Sequence, residues 1–292
     1  MSAGLKIINN MQITRKPDWL KVKLPSGENY KELKKIVETH KLHTICSSGR
    51  CPNMGECWGD RTATFMILGN ICTRSCGFCN VLTGKPLPVD QSEAVKVAES
   101  IKIMGVKHAV ITSVDRDDLA DGGAGFWAKT IKTIRQINPG ITMETLIPDF
   151  QGKENLLDII IREAPEVVSH NLETVRRLTK QVRKQAKYDR SLFVLKYLKE
   201  NGIKRTKSGI MLGLGETRDE VIETMRDLRN AKVDIMTIGQ YLQPSPKHLP
   251  VIRYPHPDEY KEYENIGLKM GFRFVESGPL VRSSYHAHKH IS

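Results

Sequence analysis

Residues 63–79 read Ala63-Thr-Phe-Met-Ile-Leu68-Gly-Asn-Ile-Cys72-Thr-Arg-Ser-Cys76-Gly-Phe-Cys79. An apolar run of strand length ends in a loop that carries a Cys-x3-Cys-x2-Cys triplet. Working outward, similar runs recur at His108–Ser113, Thr142–Ile147, Glu166–Ser169, Thr206–Leu212 and Asp234–Gly239. Amphipathic stretches with helical spacing separate them: Ser92–Met104, Gly125–Ile137, Lys153–Glu163, Ser191–Glu200 and Arg218–Asn230, with Asp258–Met270 after the sixth run. A last strand is expected at Phe272–Glu276 and an early helix at Asn29–His40. Strand–helix repeats of roughly 35 residues imply a parallel sheet with crossover helices. An open doubly wound sheet and a partly closed barrel both satisfy that rhythm. Either one puts ligands at the carboxyl ends of the strands, where the triplet stands.

All six cysteines of the 292-residue chain fall between Cys46 and Cys79. Cysteines used for packing would scatter, so this crowding points to metal chemistry. A disulfide framework belongs to small exported chains. The first residues, MSAGLKIINN, lack a charged leader followed by a long apolar segment, so export is not expected and a cytoplasmic location is. No apolar run approaches the roughly 18 residues of a membrane span. With 39% apolar and 27% charged residues, the composition is that of a folded globular protein.

Thiolates are the ligands of iron–sulfur clusters. A four-iron cubane needs four ligands and the loop after the first strand supplies three, Cys72, Cys76 and Cys79. The remaining iron is then free to chelate a small molecule such as S-adenosylmethionine (SAM), which one electron can cleave to a 5′-deoxyadenosyl radical. Zinc sites usually pair their ligands as C-x2-4-C with a second pair further on, which fits this triplet poorly. The spacing, with Phe78 before the last cysteine, is the signature of the radical SAM superfamily. The second triplet, Cys46-x4-Cys51-x5-Cys57, taken alone reads as a structural metal clip or as a second cluster short of one ligand.

The two triplets together with Arg282-Ser283-Ser284-Tyr285 resemble the lipoyl synthase family. Further segments carry the likeness: Cys51-Pro-Asn-Met-Gly-Glu-Cys57-Trp, Ser113-Val-Asp-Arg-Asp-Asp-Leu-Ala-Asp-Gly-Gly-Ala124, His170-Asn-Leu-Glu-Thr174, Leu212-Gly-Leu-Gly-Glu-Thr217 and His248-Leu-Pro-Val251. The resemblance implies a partial (β/α)6 TIM-like barrel. Residues 1–60 would be an extension carrying the auxiliary cysteines, 61–276 the barrel, and 277–292 a C-terminal segment, the extensions covering the open site. It implies two 4Fe-4S clusters and SAM. Sulfur from the auxiliary cluster would enter at C6 and C8 of an octanoyl group on a carrier-domain lysine. Those methylene hydrogens are unactivated, and no general base removes them at useful rates. The family places a serine as fourth ligand of the auxiliary cluster, which here falls on Ser283, although the residue alone reads as a turn serine.

Around SAM, the candidates are Phe78, Ser113, Gly122, Gly123, Asn171, Glu173, Arg183 and Gly213. Each has a plainer reading. Gly122 and Gly123 lie in an acidic turn, Asn171 and Glu173 suit a helix start, and Gly213 suits a tight strand-to-helix turn. Arg183 belongs to a basic run from Arg176 to Lys187 that reads mostly as a solvated face. His286, His288 and His290 alternate near the end, a spacing able to bind metal, but a frayed tail is the expectation. Trp58 and Trp127 are expected to pack.

The net charge of +12 comes from 45 basic and 33 acidic residues. No RNA-binding aromatic motif accompanies it, so neither nucleic acid nor membrane is expected as partner. The resemblance implies instead an octanoylated lipoyl carrier domain, from a glycine cleavage H protein or a 2-oxoacid dehydrogenase E2 subunit. A flavodoxin or ferredoxin would supply electrons, and opposite charge would speed both encounters. The alternatives are another two-cluster sulfur inserter resembling the methylthiotransferases, and a non-catalytic zinc-binding nucleic-acid protein.

Overall fold

The computed structural model describes residues 16–21, 27–40, 44–48, 51 and 53–291. Most of residues 1–25 lie outside the described residues. Three helices come first, α1 (Glu28–Thr39), α2 (Ile45–Ser48) and α3 (Met54–Gly59). Strand β1 (Thr62–Ile67) follows, then the two-residue strands β2 (Ile71–Cys72) and β3 (Leu82–Thr83). The alternating part runs α4 (Glu93–Ile103), β4 (His108–Ser113), α5 (Ala124–Ile137), β5 (Thr142–Leu146), α6 (Glu154–Glu163) and β6 (Val167–Ser169). It continues with α7 (Thr179–Val182), α8 (Tyr188–Glu200), β7 (Thr206–Leu212), α9 (Arg218–Asn230), β8 (Ile235–Gln240), α10 (Pro257–Lys269) and β9 (Phe274–Gly278). All expected runs become strands, displaced by a residue or two. Helix α8 begins three residues before its expected start.

The main sheet has seven strands in the order β1-β4-β5-β6-β7-β8-β9, every neighbouring pair parallel. This order decides between the two architectures left open by periodicity. A doubly wound sheet reverses its strand order at a switch point. Here each right-handed crossover steps in the same direction, so all the crossover helices fall on one face and the sheet curls around the other. The result is a partial barrel with β1 and β9 as free edges, as the resemblance implies.

The apolar core lies between sheet and helices. Phe65, Ile67, Ile111, Ile131 and Ile160 belong to one part of it, and Leu212, Val221, Met225, Ile238 and Tyr260 to another. Leu33, Val37, Cys46 and Trp58 join the first part, so the N-terminal helices share the core of β1. Trp58 and Trp127 are both buried. On the concave side, period-two alternation aims Glu144 and Leu146 of β5, and Lys207, Gly209 and Met211 of β7, into the barrel. Low in it, the Lys207 ammonium lies 2.9 Å from the Glu144 carboxylate, which also accepts from Ser169 Oγ at 2.6 Å.

The last residues are not frayed. Ala287–Ile291 forms a 3-10 turn in which Ala287 and His290 are fully buried. The expectation of a loose histidine tail is therefore wrong. The partners that hold it lie on elements far back in the chain.

Candidate functional site

The loop that follows β1 is held on every side. Leu68 and Gly69 reverse the chain with positive φ, and their amides donate to the Glu93 carboxylate at 2.7 and 3.1 Å. Pairing of β2 with β3 closes the base of the loop. Within it, Thr73 N–H donates to Asp115 O, Gly77 N–H to Val182 O, and Leu249 N–H to Gly77 O. His248 Nε2 lies 3.0 Å from Cys79 O. A Cβ on Gly77 would stand 2.9 Å from Leu249 Cδ1, so this packing uses the missing side chain.

Arg74 fastens the loop to the barrel. Its guanidinium donates to both Asp117 oxygens at 2.7 and 2.8 Å and to Asp149 Oδ1 at 2.8 Å, with Asp115 Oδ1 at 3.3 Å. Those carboxylates come from the loops after β4 and β5. Burial raises the Asp149 carboxyl pKa, but the hydrogen bond and charge of Arg74 outweigh it and hold Asp149 well below the usual carboxylate range. Cys72 Sγ accepts from the amides of Arg74 and Asp115 at 3.4 and 3.3 Å.

All six cysteines are free thiols. Burial pushes every one of them up, Cys57 and Cys76 to about 12. Such thiols are poor nucleophiles and become thiolates only when a metal displaces their protons. Within each triplet the sulfurs sense one another's charge: Cys76 with Cys79, Cys79 with Cys72, and Cys57 with Cys51 and Cys46. Yet no group of three or more His, Cys, Asp or Glu among the described residues could hold a metal ion as the side chains stand. Three thiols apiece are the soft donor set that iron–sulfur clusters take.

The second triplet sits on α2, the connection after it, and α3. Cys51 N–H donates to Cys46 O and Cys57 N–H to Asn53 O. Asn53 Nδ2 donates to Leu280 O at 2.8 Å, which draws the C-terminal segment over this triplet. The positive charge of Arg282 acts on Cys51. Arg282 is a half-buried cation whose described hydrogen bonds run to the carbonyls of Val281 and Gln240.

A cavity of about 290 Å³ lies at the carboxyl ends of β5–β8. Phe78, Asn171, Glu173, Gly239, Arg282 and Ser283 are among its walls. Four sequence candidates thus meet in one chamber: Phe78, Asn171, Glu173 and Ser283. Asn171 Nδ2 donates to Glu173 Oε1 at 3.0 Å, while Asn171 Oδ1 is buried without a partner. Burial raises the Glu173 carboxyl, partly offset by the charge of Arg183. Glu173 has a φ of 65°, a strained value for a non-glycine residue, set where its amide and carbonyl both pair with β7.

The other candidates stand outside that chamber. Ser113 Oγ accepts from Trp127 Nε1 at 3.3 Å. Gly122 borders a small pocket with Phe150 and Arg74, and a Cβ on Gly123 would meet Leu68 Cδ1 at 2.6 Å. These two glycines seat α5 against the cysteine loop. Gly213 packs on Gln240 and the Arg253 carbonyl. Arg183 is buried behind the loop and donates to Leu172 O and Ser191 Oγ, unlike its exposed neighbours Arg176 and Arg177. Arg74 and Arg282 escaped sequence reasoning. So did Gly239, where a Cβ would lie 2.1 Å from Val281 O. A glycine inside a strand is a cue for close backbone approach, and it was available here.

Comparison with known proteins agrees with this geometry. The Radical SAM superfamily model matches residues 66–228, and that of the N-terminal domain of lipoyl synthase matches 3–51. Lipoyl synthase of Flavobacterium psychrophilum is 69% identical over 283 residues, covering 97% of this chain and 98% of its own. Mitochondrial lipoyl synthase of Nematostella vectensis is 68% identical over 276 residues, 94% of this chain and 95% of its own. Among solved structures, Streptococcus suis SuiB bound to its precursor peptide superposes with a TM-score of 0.59 at 14% identity, over 85% of this chain and 62% of that one. Methylornithine synthase gives 0.55 at 13%, over 85% and 81%. These two share the fold. By fold, thiol pattern and relatives, this chain belongs to the lipoyl synthase family of the radical SAM superfamily.

Proposed function

We propose that the chain inserts two sulfur atoms, at C6 and C8, into an octanoyl group borne by a lysine of a lipoyl carrier domain. The observation that carries this reading is the cavity whose walls include Phe78, from the first thiol loop, and Ser283, from the segment drawn over the second triplet. Two 4Fe-4S clusters and SAM, when bound, supply the one-electron chemistry and the sulfur that acid–base groups cannot.

In this reading Cys72, Cys76 and Cys79 hold the SAM-binding cluster, and Cys46, Cys51, Cys57 and Ser283 hold the auxiliary one. Residues 1–60 and 277–292 serve the auxiliary cluster, and 61–276 form the SAM barrel. Asn171 and Glu173 present polar groups to the SAM amino-acid and ribose parts, and Phe78 closes the apolar side. Arg282 sets a cation beside the auxiliary triplet and offsets charge there. Ser113, Gly122, Gly123, Arg183 and Gly213 support these parts from behind. We assign the carrier as an H protein or an E2 subunit, the electron donor as a flavodoxin or ferredoxin, and the compartment as the cytoplasm. Six free thiols suit a reducing compartment. No described helix is long and apolar enough to cross a membrane.

Anaerobic turnover with octanoylated carrier, SAM and reductant, read by mass spectrometry, tests the proposal. Lipoylated carrier should form with two 5′-deoxyadenosine and two methionine per product. The Ser283→Ala chain should still cleave SAM but yield no lipoyl group. Undiminished lipoylation by that variant removes Ser283 from the ligand set.

A further inference from the structure

The alternating histidines at the C-terminus do something the sequence did not suggest. Among the described residues, no strand pairs with the outer side of β1 or β9 in the seven-stranded partial barrel. The tail lies against both. His288 Nδ1 is 3.4 Å from Thr62 Oγ1 at the start of β1. His290 packs its ring 5.4 Å from that of Phe274 on β9, with Nε2 3.7 Å from Glu276 Oε1. Nδ1 of His290 lies 3.4 Å from Lys207 Nζ, so its ring reaches the buried Lys207–Glu144 pair inside the barrel.

The same tail grips the second triplet. His286 bridges two carboxylates, Glu276 on β9 at 3.1 Å and Glu56 on α3 at 2.9 Å. Tyr285 O–H donates to Glu56 at 3.0 Å and stacks on His286 with ring centres 3.8 Å apart. Glu56 precedes Cys57, whose sulfur accepts from the His286 amide. The chain from Ser283 to His290 is therefore pinned at the triplet by one end and in the barrel by the other.

We propose that Tyr285–Ile291 is a clasp across the open side of the barrel, and that buried His290 is the positioning residue that fixes Ser283 beside the second thiol triplet. This rests on the reading of Ser283 as a cluster ligand. A ring lost at position 290 leaves a void next to Lys207 and Phe274 and frees the tail, and displacement of about 1 Å at a ligand can cost about 100-fold in rate.

The test compares His290→Ala, His290→Gln and Ser283→Ala holoenzymes by iron-57 Mössbauer spectroscopy, SAM cleavage and lipoyl formation. The His290→Ala chain should keep SAM cleavage within about twofold while lipoyl formation falls about 100-fold. Its auxiliary-cluster spectrum should move toward that of Ser283→Ala. His290→Gln, which keeps a donor and an acceptor, should fall between. An auxiliary spectrum in His290→Ala identical to that of the unaltered chain overturns the clasp while leaving Ser283 as ligand. A spectrum unchanged by Ser283→Ala overturns the ligand reading and the clasp with it. Loss of both clusters from His290→Ala also overturns it, because the tail would then be holding the whole barrel.

Discussion

Replacing Arg74 by Met keeps the length of the side chain and removes its charge and all its donors. The side chain is 5% exposed, and its partners Asp149, Asp115 and Asp117 are 0%, 24% and 32% exposed. Removing one partner of a buried, hydrogen-bonded ion pair costs about 3–5 kcal/mol, because the other charge stays buried. Asp149 retains a second cation, Arg190 at 3.2 Å, and the other two carboxylates keep contact with water. The lower figure, about 3 kcal/mol, therefore applies. At about 1.4 kcal/mol per factor of ten, the detached state of the cysteine loop becomes about a hundredfold more populated. Arg74→Lys should recover only part of this, since one ammonium cannot serve three carboxylates from a planar fork. The assay is iron per chain after anaerobic reconstitution with about eight equivalents of iron, with electron paramagnetic resonance of the reduced first cluster. The unaltered chain should take up about eight irons and the Met variant about four, the loss falling on the cluster of Cys72, Cys76 and Cys79. A Met variant with full iron and unaltered SAM cleavage would refute the view of Arg74 as the fastening of this loop.

Three other outcomes follow from the same structure. Gly239→Ala puts a methyl group 2.1 Å from Val281 O, a backbone atom, so the Arg282–Ser283 segment must shift at a cost of about 1–3 kcal/mol; lipoyl formation should drop with SAM cleavage preserved, and equal loss of both would count against it. Lys207→Met strands the Glu144 carboxylate, which is 1% exposed, and should lower the melting temperature by more than about 6 °C; adding Glu144→Gln should recover over half of that. His170 is pushed down to about 4, first by burial and then by the charge of Arg183. Its folded value lies below the ordinary 6.5, so the unfolded chain binds the extra proton between those values. The contribution of neutral His170 to stability is full above about pH 6.5 and is lost as pH falls toward 4, by about 3 kcal/mol. Melting curves of His170→Gln should show a shallower loss across that window, and an unchanged slope would remove His170 as its source.

The strands and helices were legible because burial on both strand faces writes continuous apolar runs, and because helices such as α9 carry an apolar stripe at helical spacing, here Val221, Ile222, Met225 and Leu228. The direction of winding was not. Periodicity records that a strand is followed by a helix, but says nothing of which edge the next strand joins. The resemblance supplied the barrel, and the strand order gave its physical reason. Thiol spacing was legible for a different cause: few residue types bind iron, and two triplets within one short stretch have little other use. Arg74 could not be found that way. An arginine between two cysteines looks unremarkable until the loops after β4 and β5 bring Asp117 and Asp149 to it. The tail histidines misled because alternation near a terminus looks like fraying, while their anchors at Lys207, Thr62 and Glu56 lie 83, 226 and 230 residues back along the chain.

A barrel that stops short of closure has two problems. Its free edges expose unpaired backbone, and its lower interior holds a lysine and a glutamate that cannot be left beside a void. A tail that fills the seam answers both, since His288 reaches Thr62 on one edge while His290 meets Phe274 on the other and Lys207 within. The seven chain steps from Ser283 to His290 could span at most about 24 Å if fully extended, but the 3-10 turn at Ala287–Ile291 takes up that slack. Glu56 binds the middle through Tyr285 and His286, and His290 seats the far end, so the two anchors together keep Ser283 in place. Under the proposed assignment, Ser283 would offer the auxiliary cluster a hard oxygen ligand in place of a fourth thiolate, and its position would be set by the backbone path and the anchors at Glu56, Thr62 and Lys207.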